Sequence, residues 1–247
     1  MKAMILAAGL GTRLKPLTDL TPKALIKIKD HTLLELQIKK LKSEGFVEII
    51  INVHHFADQI INYLKKNNYF NCNIAFSDES KMLLDTGGGL KKASHFFSDG
   101  KPFLVYNVDI ISDINLVNIF NAHTSSGGIA TLAIKDRESS RKFLFNNKYE
   151  LSGWMNEKSG EKILVREEAA DLSAYAFSGI QIINPEIFKH FQEKDKFSLV
   201  ELYLSVAKNE KILGFIHQED FWLDLGKRES LAEAEKQFDK IKNIYPV

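Results

Sequence analysis

The run Ala3-Met4-Ile5-Leu6-Ala7-Ala8-Gly9-Leu10-Gly11-Thr12-Arg13 passes from an unbroken apolar stretch into a glycine-rich, basic loop. A strand covered on both faces is continuously apolar, whereas one with a wet face alternates. Residues 4–7 are continuous in this sense, and so is Ile49-Ile50-Ile51. Working outward, β-rich runs fall at residues 3–7, 47–53, 73–77, 103–107 and 129–134. Helical patterns lie between them. Thr32-Leu33-Leu34-Glu35 reads as a capping box, followed by Leu34, Ile38 and Leu41 on one face and Gly45 as a stop. Residues 57–66, 90–97 and 116–123 read as further helices. Alternating strand and helix predicts a Rossmann-like α/β fold: a mostly parallel mixed sheet with helices on both faces.

After about residue 141 the pattern changes. Phe143-Leu144-Phe145, a turn at Asn146-Asn147 and residues 148–154 read as a β-hairpin. Residues 175–183 form a long strand with Gly179 inside it, 197–208 a helix, 212–217 and 221–223 strands, and 227–241 one closing amphipathic helix. With no Pro- or Ser-rich linker, no repeat and no low-complexity tract, residues 1–247 read as a single domain. Its expected halves are 1–135 and 136–247, the second ending in the closing helix.

Composition narrows the function. Hydrophobic residues make up 45% and charged residues 26%, ordinary values for a soluble globular chain. The 33 Lys+Arg against 32 Asp+Glu leave a net charge of +1, so neither nucleic acid nor an anionic membrane is expected as partner. No stretch approaches the roughly 20 apolar residues of a membrane helix. The apolar start of the chain gives way to the glycine loop where a leader would have its cleavage site. The lone Cys72 offers neither a disulfide nor a thiolate metal set, which fits the cytoplasm.

Ligands of open parallel sheets bind at the carboxyl ends of the strands, where the loop after the first strand lies. Gly9 and Gly11 allow close backbone approach to an anion, Thr12 adds a hydroxyl, and Arg13, Lys15 and Lys23 add positive charge. Together they suit a di- or triphosphate. The dinucleotide fingerprint fails because Leu14 stands where its third glycine belongs and Asn52 where its acid belongs; a Walker sequence is absent. The full stretch LAAGLGTRLKPLTDLTPKAL resembles the signature G-x-G-T-R…P-K of sugar-1-phosphate nucleotidyltransferases. Three later segments extend the resemblance over almost the whole chain: Leu84-Asp85-Thr86-Gly87-Gly88-Gly89, Asn107-Val108-Asp109 and Trp222-Leu223-Asp224-Leu225-Gly226.

The resemblance implies roles residue by residue. Arg13, Lys23, Asp109 and Asp224 become the catalytic set, with Asp109 and Asp224 holding Mg²⁺. Nucleotide binding falls to Leu6, Ala7, Ala8, Gly9, Gly11, Thr12, Arg13, Lys23, Glu79, Thr86, Gly87 and Gly88. Glu79 stands near the position that reads the base; alternatively it is a solvated turn residue. Amides of Gly87 and Gly88 are expected to meet the base. Asn107, Lys158 and Gly179 are assigned to the sugar substrate, although Ser159 replaces the proline that follows such a lysine, and Gly179 also reads as a β-bulge. Asp113 is a rival to Asp109, and His54-His55 read as a surface loop.

The implied reaction is Mg²⁺-dependent transfer of a nucleotidyl group from an NTP to a sugar 1-phosphate, releasing pyrophosphate. Within the family, the T-G-G-G segment, the Asn-x-Asp and the compact length most resemble the branch that transfers uridylyl from UTP to N-acetylmuramate 1-phosphate, a cell-wall amino sugar. Guanylyl transfer to mannose or heptose 1-phosphate and cytidylyl transfer to choline phosphate stay open, as does a non-catalytic sugar-nucleotide-binding regulator. No hexapeptide repeat occurs, so an acyltransferase module is not expected. The sequence leaves monomer and homo-oligomer open.

Overall fold

The computed structural model describes residues 1–166, 171–218 and 220–245. In chain order its strands are β1 (Lys2–Leu6), β2 (Lys27–Ile28), β3 (His31–Thr32), β4 (Glu48–Val53), β5 (Asn73–Asp78), β6 (Phe103–Asn107), β7 (Ile110–Ser112), β8 (Ala130–Lys135), β9 (Arg141–Phe145), β10 (Leu151–Asn156), β11 (Glu161–Leu164), β12 (Ser173–Ile183), β13 (Ile212–Ile216) and β14 (Trp222–Asp224). Its α-helices are α1 (Leu33–Ser43), α2 (Ala57–Lys66), α3 (Asp85–Ala93), α4 (Leu116–Ser126), α5 (Leu199–Val206), α6 (Arg228–Lys236) and α7 (Phe238–Ile244). Two compact units divide the chain: Met1–Leu83 with Tyr106–Ile114 and Asp220–Val247, and Leu84–Val105 with Asn115–Glu219.

The first unit contains the parallel ladder that the continuous apolar runs predict. β1 pairs with β4 and β4 with β5, all parallel, with Leu6 opposite Asn52 and Asn52 opposite Ser77. Met4, Ile5, Ile50 and Ile51 are wholly buried. Parallel pairing brings the carboxyl ends of all three strands to one edge. The segment after β6 reaches the same edge, because Val108 N–H donates to Leu6 O at 3.2 Å. Thr32 caps α1 by accepting from Glu35 N at 3.1 Å. The Glu35 carboxylate does not close the box; it takes His31, Lys39 and Tyr63 instead.

The second unit is chiefly antiparallel. β12 pairs with β8 and β9 and β10 with β9 and β11, all antiparallel, whereas β13 pairs parallel with β8. With parallel strands in one unit, antiparallel strands in the other and helices in both, the chain is a mixed α/β protein. The hairpin between β9 and β10 turns over residues 146–150 rather than at Asn146-Asn147 alone. The Asn146 side chain accepts from Lys148 N and Glu150 N, both at 2.9 Å, and Tyr149 takes a left-handed backbone. Such side-chain bonding is how Asn widens a turn.

Four helices differ from their expected bounds, α5 simply by being shorter at each end, Leu199–Val206 against 197–208. Residues 90–97 begin earlier, as α3 from Asp85, so the glycines of the T-G-G-G segment lie inside a helix rather than ahead of one. α4 continues to Ser126, capped by Asn115 and stopped by Gly127 at φ 67°. The closing helix breaks at Gln237 (φ −97°, ψ 18°) into α6 and α7. Contacts made at a distance seat the second piece: Phe238 stacks on His31, and the Tyr245 hydroxyl accepts from Ser112 N at 2.9 Å. Helical periodicity carries no mark of either.

Candidate active site

The loop after β1 is folded by its own residues. Gly11 has φ 63°, a left-handed conformation that suits glycine, and a Cβ there would stand 2.8 Å from Thr18 Cγ2. The Gly11 carbonyl accepts from Leu14 N at 2.8 Å and from the Thr18 hydroxyl at 2.9 Å. Thr12–Leu14 therefore closes as one 3₁₀ turn, with Thr12 and Arg13 exposed and Leu14 buried. Gly9 is different, since nothing lies within 4 Å of where its Cβ would be.

Two carboxylates meet beside this loop. β14 runs antiparallel to β7 with Asp224 opposite Ile110, and Leu225 N donates to Asp109 O at 2.9 Å. Asp109 and Asp224, remote in sequence, thus become neighbours. Lys23 Nζ is hydrogen-bonded to Asp109 Oδ2, with both side chains largely buried. Asp224 Oδ1 accepts from Gly226 N at 2.8 Å. A Cβ on Gly226 would lie 2.5 Å from Arg13 Nη2 and 2.8 Å from Asp224 Oδ1, so the guanidinium rests against this glycine's backbone. In the sequence Gly226 is only the end of the Trp222–Gly226 segment; its contact with Arg13 appears only in the fold. Asp113 does separate work, because its Oδ1 accepts from Phe221 N at 2.6 Å and clasps the end of the β7–β14 ladder.

Each of the two carboxylates keeps one oxygen outside these bonds. Among the described residues no group of three or more His, Cys, Asp or Glu could hold a metal by itself. Two acids without further protein ligands suit an ion such as Mg²⁺, which completes its shell with phosphate oxygens and water. Asn107, half-buried at the end of β6, stands two residues before Asp109.

Behind the loop lies a buried polar chain. Asn52 Oδ1 accepts from Ala7 N at 2.6 Å and from Ala8 N at 3.3 Å, and Asn52 Nδ2 donates to Glu79 Oε1 at 2.8 Å. The Glu79 carbonyl accepts from His54 Nδ1 at 2.7 Å. Glu79 is only 1% exposed, which overturns the solvated-turn alternative. His54 is likewise half-buried and bonded, while His55 is exposed.

The other expected residues belong to the second unit. Gly87 N and Gly88 N both donate to Phe197 O, at 2.9 and 3.1 Å, so these amides do not await a base carbonyl. A Cβ on Gly88 would come 2.0 Å from Asp195 O, and one on Gly87 would come 2.4 Å from the Phe197 ring. Close packing of the 195–197 segment accounts for these two glycines. Thr86 Oγ1 accepts from Leu199 N at 2.9 Å. Gly179, at φ 77°, sits where the β12–β8 register shifts between Phe177 and Gln181, a bulge. Lys158 is exposed in the turn between β10 and β11, where its N–H donates to Asn156 Oδ1 at 3.1 Å.

A sheet edge that gathers Arg13 and Lys23 beside Asp109 and Asp224 carries the charges that nucleotide phosphates and a divalent ion would need. Residues 2–241 match the nucleotidyl transferase family, and the chain belongs to it. It is 32% identical over 240 residues to the N-acetylmuramate alpha-1-phosphate uridylyltransferase of Neisseria meningitidis serogroup B, covering 95% of this chain and 97% of that protein. It is 30% identical over 230 residues to the mannose-1-phosphate guanyltransferase of Aspergillus oryzae, covering 92% of this chain and 61% of that one. Its fold matches HddC from Yersinia pseudotuberculosis, solved in complex with GMP-PN, at a TM-score of 0.77 and 23% identity over 96% of this chain and 99% of that one. The chain is therefore an enzyme of the sugar-1-phosphate nucleotidyltransferase type. Among its described residues no helix is long and apolar enough to cross a membrane.

Proposed function

We propose that this enzyme transfers a uridylyl group from UTP to an N-acetylated amino sugar 1-phosphate, with N-acetylmuramate 1-phosphate the leading candidate. The observation that carries the nucleotide is Glu79, a buried acid held at the end of β5 by Asn52. A carboxylate acceptor pairs with the imide N–H of uracil, and cytosine lacks that hydrogen. An acceptor left unpaired by the wrong base discriminates by about 10⁴-fold or more. The relative from Neisseria, matched over nearly its full length, supports the choice of sugar.

An anomeric phosphate is already anionic, so the reaction needs alignment and charge neutralisation more than a base. In this reading Arg13 and the loop amides hold the β- and γ-phosphates that leave as pyrophosphate. Lys23, bonded to Asp109, exchanges that contact for the α-phosphate or the incoming phosphate. Asp109 and Asp224 would hold Mg²⁺, which when bound neutralises phosphate charge. Asn107, Lys158 and Gly179 are assigned to the sugar substrate, and Thr86, Gly87 and Gly88 to the nucleotide through the helix they build.

Guanine also presents an N–H beside a carbonyl, and the relative from Aspergillus gives GTP with mannose 1-phosphate a place as the second reading. Equal UTP and GTP competing for N-acetylmuramate, N-acetylglucosamine and mannose 1-phosphates decide between them. UDP-N-acetylmuramate is the expected main product. A clear preference for GTP with mannose 1-phosphate overturns the uridylyl assignment.

A further inference from the structure

The chain Ala7/Ala8–Asn52–Glu79 joins two things that nucleotide binding uses separately: the phosphate loop and the buried acid. Asn52 is 3% exposed and Glu79 1%, and the two side chains bond directly at 2.8 Å. The amide of Asn52 is spent in one sense only. Its oxygen faces the two loop N–H groups and its nitrogen faces the carboxylate, an assignment fixed by the partners, since backbone N–H groups only donate and an ionised carboxylate only accepts. Register explains the reach: Asn52 lies opposite Leu6 on one side and Ser77 on the other, one residue short of the loop and two short of Glu79.

We infer that Asn52 is a positioning residue that couples the phosphate loop to the base-reading carboxylate, and so sets which bases the site accepts. The inference rests on Glu79 reading the base as proposed above. A carboxylate oxygen accepts more than one hydrogen bond, so Glu79 can keep Asn52 while it takes a base N–H. The polarity of Asn52 fixes which kind of atom position 79 presents. With Gln at position 79, Asn52 Nδ2 claims the amide oxygen and turns the amide nitrogen toward the base. That nitrogen suits the acceptor N3 of cytosine and opposes the N–H of uracil. With Asp at position 52 as well, the amide nitrogen is drawn to the new carboxylate and the oxygen faces the base again.

Three variants test this with steady-state kinetics for UTP and CTP and a thermal unfolding scan of each protein. Asn52→Asp keeps the acceptor for Ala7 and Ala8 but sets two carboxylates together; KM for UTP is expected to rise about tenfold or more while kcat changes little. Glu79→Gln is expected to shift the CTP-to-UTP ratio of kcat/KM toward CTP by at least about tenfold. The double variant N52D/E79Q is expected to recover the KM for UTP to within about threefold of the unaltered enzyme. If N52D alone does not fold, recovery of both folding and UTP affinity in the double variant still supports the coupling. A double variant no better than N52D overturns it, as does an N52D enzyme with an unaltered KM. An unchanged CTP-to-UTP ratio in E79Q together with recovery in the double variant overturns the base-reading role of Glu79 and leaves Asn52 as the residue that holds the loop.

Discussion

At the scale of single residues, the site divides into groups that hold charge and groups that let them approach. Asp109 and Asp224 are brought side by side by two backbone bonds and one short ladder, so neither carboxylate is needed to keep the strands paired. Asp109→Asn and Asp224→Asn should each lower turnover by at least about 10²-fold with the unfolding midpoint little changed, as steady-state assays and thermal scans will report. Near-normal turnover in either variant removes that residue from the proposed metal pair. Arg13 is exposed and lies on Gly226, with no ion pair to hold it among the described residues. Arg13→Ala should lose activity chiefly in kcat, because charge builds on the leaving pyrophosphate in the transition state. Gly226→Ala should do part of the same damage, since its Cβ displaces the flexible ends of Arg13 and Asp224 rather than backbone. A rise in the KM for the NTP with kcat unchanged makes Arg13 a ground-state binder. That Arg13, Lys23, Asp109 and Asp224 come together was legible from the motifs that carry them. The bonding of Asn52 and the contact of Gly226 with Arg13 were not, since both depend on partners brought from other segments.

At the scale of elements, the T-G-G-G segment teaches the most. A glycine-rich stretch before a helix reads as a ligand-facing loop, yet here it forms the first turns of α3. Glycine is costly inside a helix, by about 1 kcal/mol relative to alanine. The structure supplies the offset: a neighbouring backbone lies where the side chains would be, and Phe197 O takes two amides. Lys91, later in the same helix, donates to the carbonyls of Gln192, Glu193 and Lys194 and pairs with Asp195 at 3.0 Å, holding that neighbour in place. Gly88→Ala should therefore destabilise the protein by about 1–3 kcal/mol, because a backbone carbonyl cannot step aside cheaply. Urea unfolding measures it, and an unaltered midpoint would count against the packing account. Other element-level differences have the same origin. The break at Gln237 goes with ring stacking and the wide hairpin turn with Asn146 side-chain bonds and a left-handed Tyr149, none of which alters hydrophobic periodicity.

At the scale of the whole molecule, the parallel ladder was legible from two continuous apolar runs, while the antiparallel one was legible only as separate strands whose order no local pattern fixes. Histidine shows how that second ladder sets a global property. His123 on α4 lies against Thr131 Oγ1 at 3.0 Å, and His217 after β13 lies against Ser178 Oγ at 2.6 Å. Both are almost fully buried, and burial pushes each pKa down to about 4, helped at His217 by Lys135 and Arg137. The folded chain thus keeps both rings neutral at a pH where an unfolded chain, with its histidines near 6.5, takes up protons. Stability from this source is complete above about pH 6.5 and is lost as pH falls toward about 4. Each ring should add a slope of about 1.4 kcal/mol per pH unit in that window, before most carboxylates begin to titrate. Urea unfolding at several pH values between about 6.5 and 5 measures the slope. His123→Gln and His217→Gln, which keep a polar group but cannot titrate, should each remove one such share and the pair both. An acid slope that survives both substitutions means that the histidines are protonated in the folded protein, and that the loss of stability starts elsewhere.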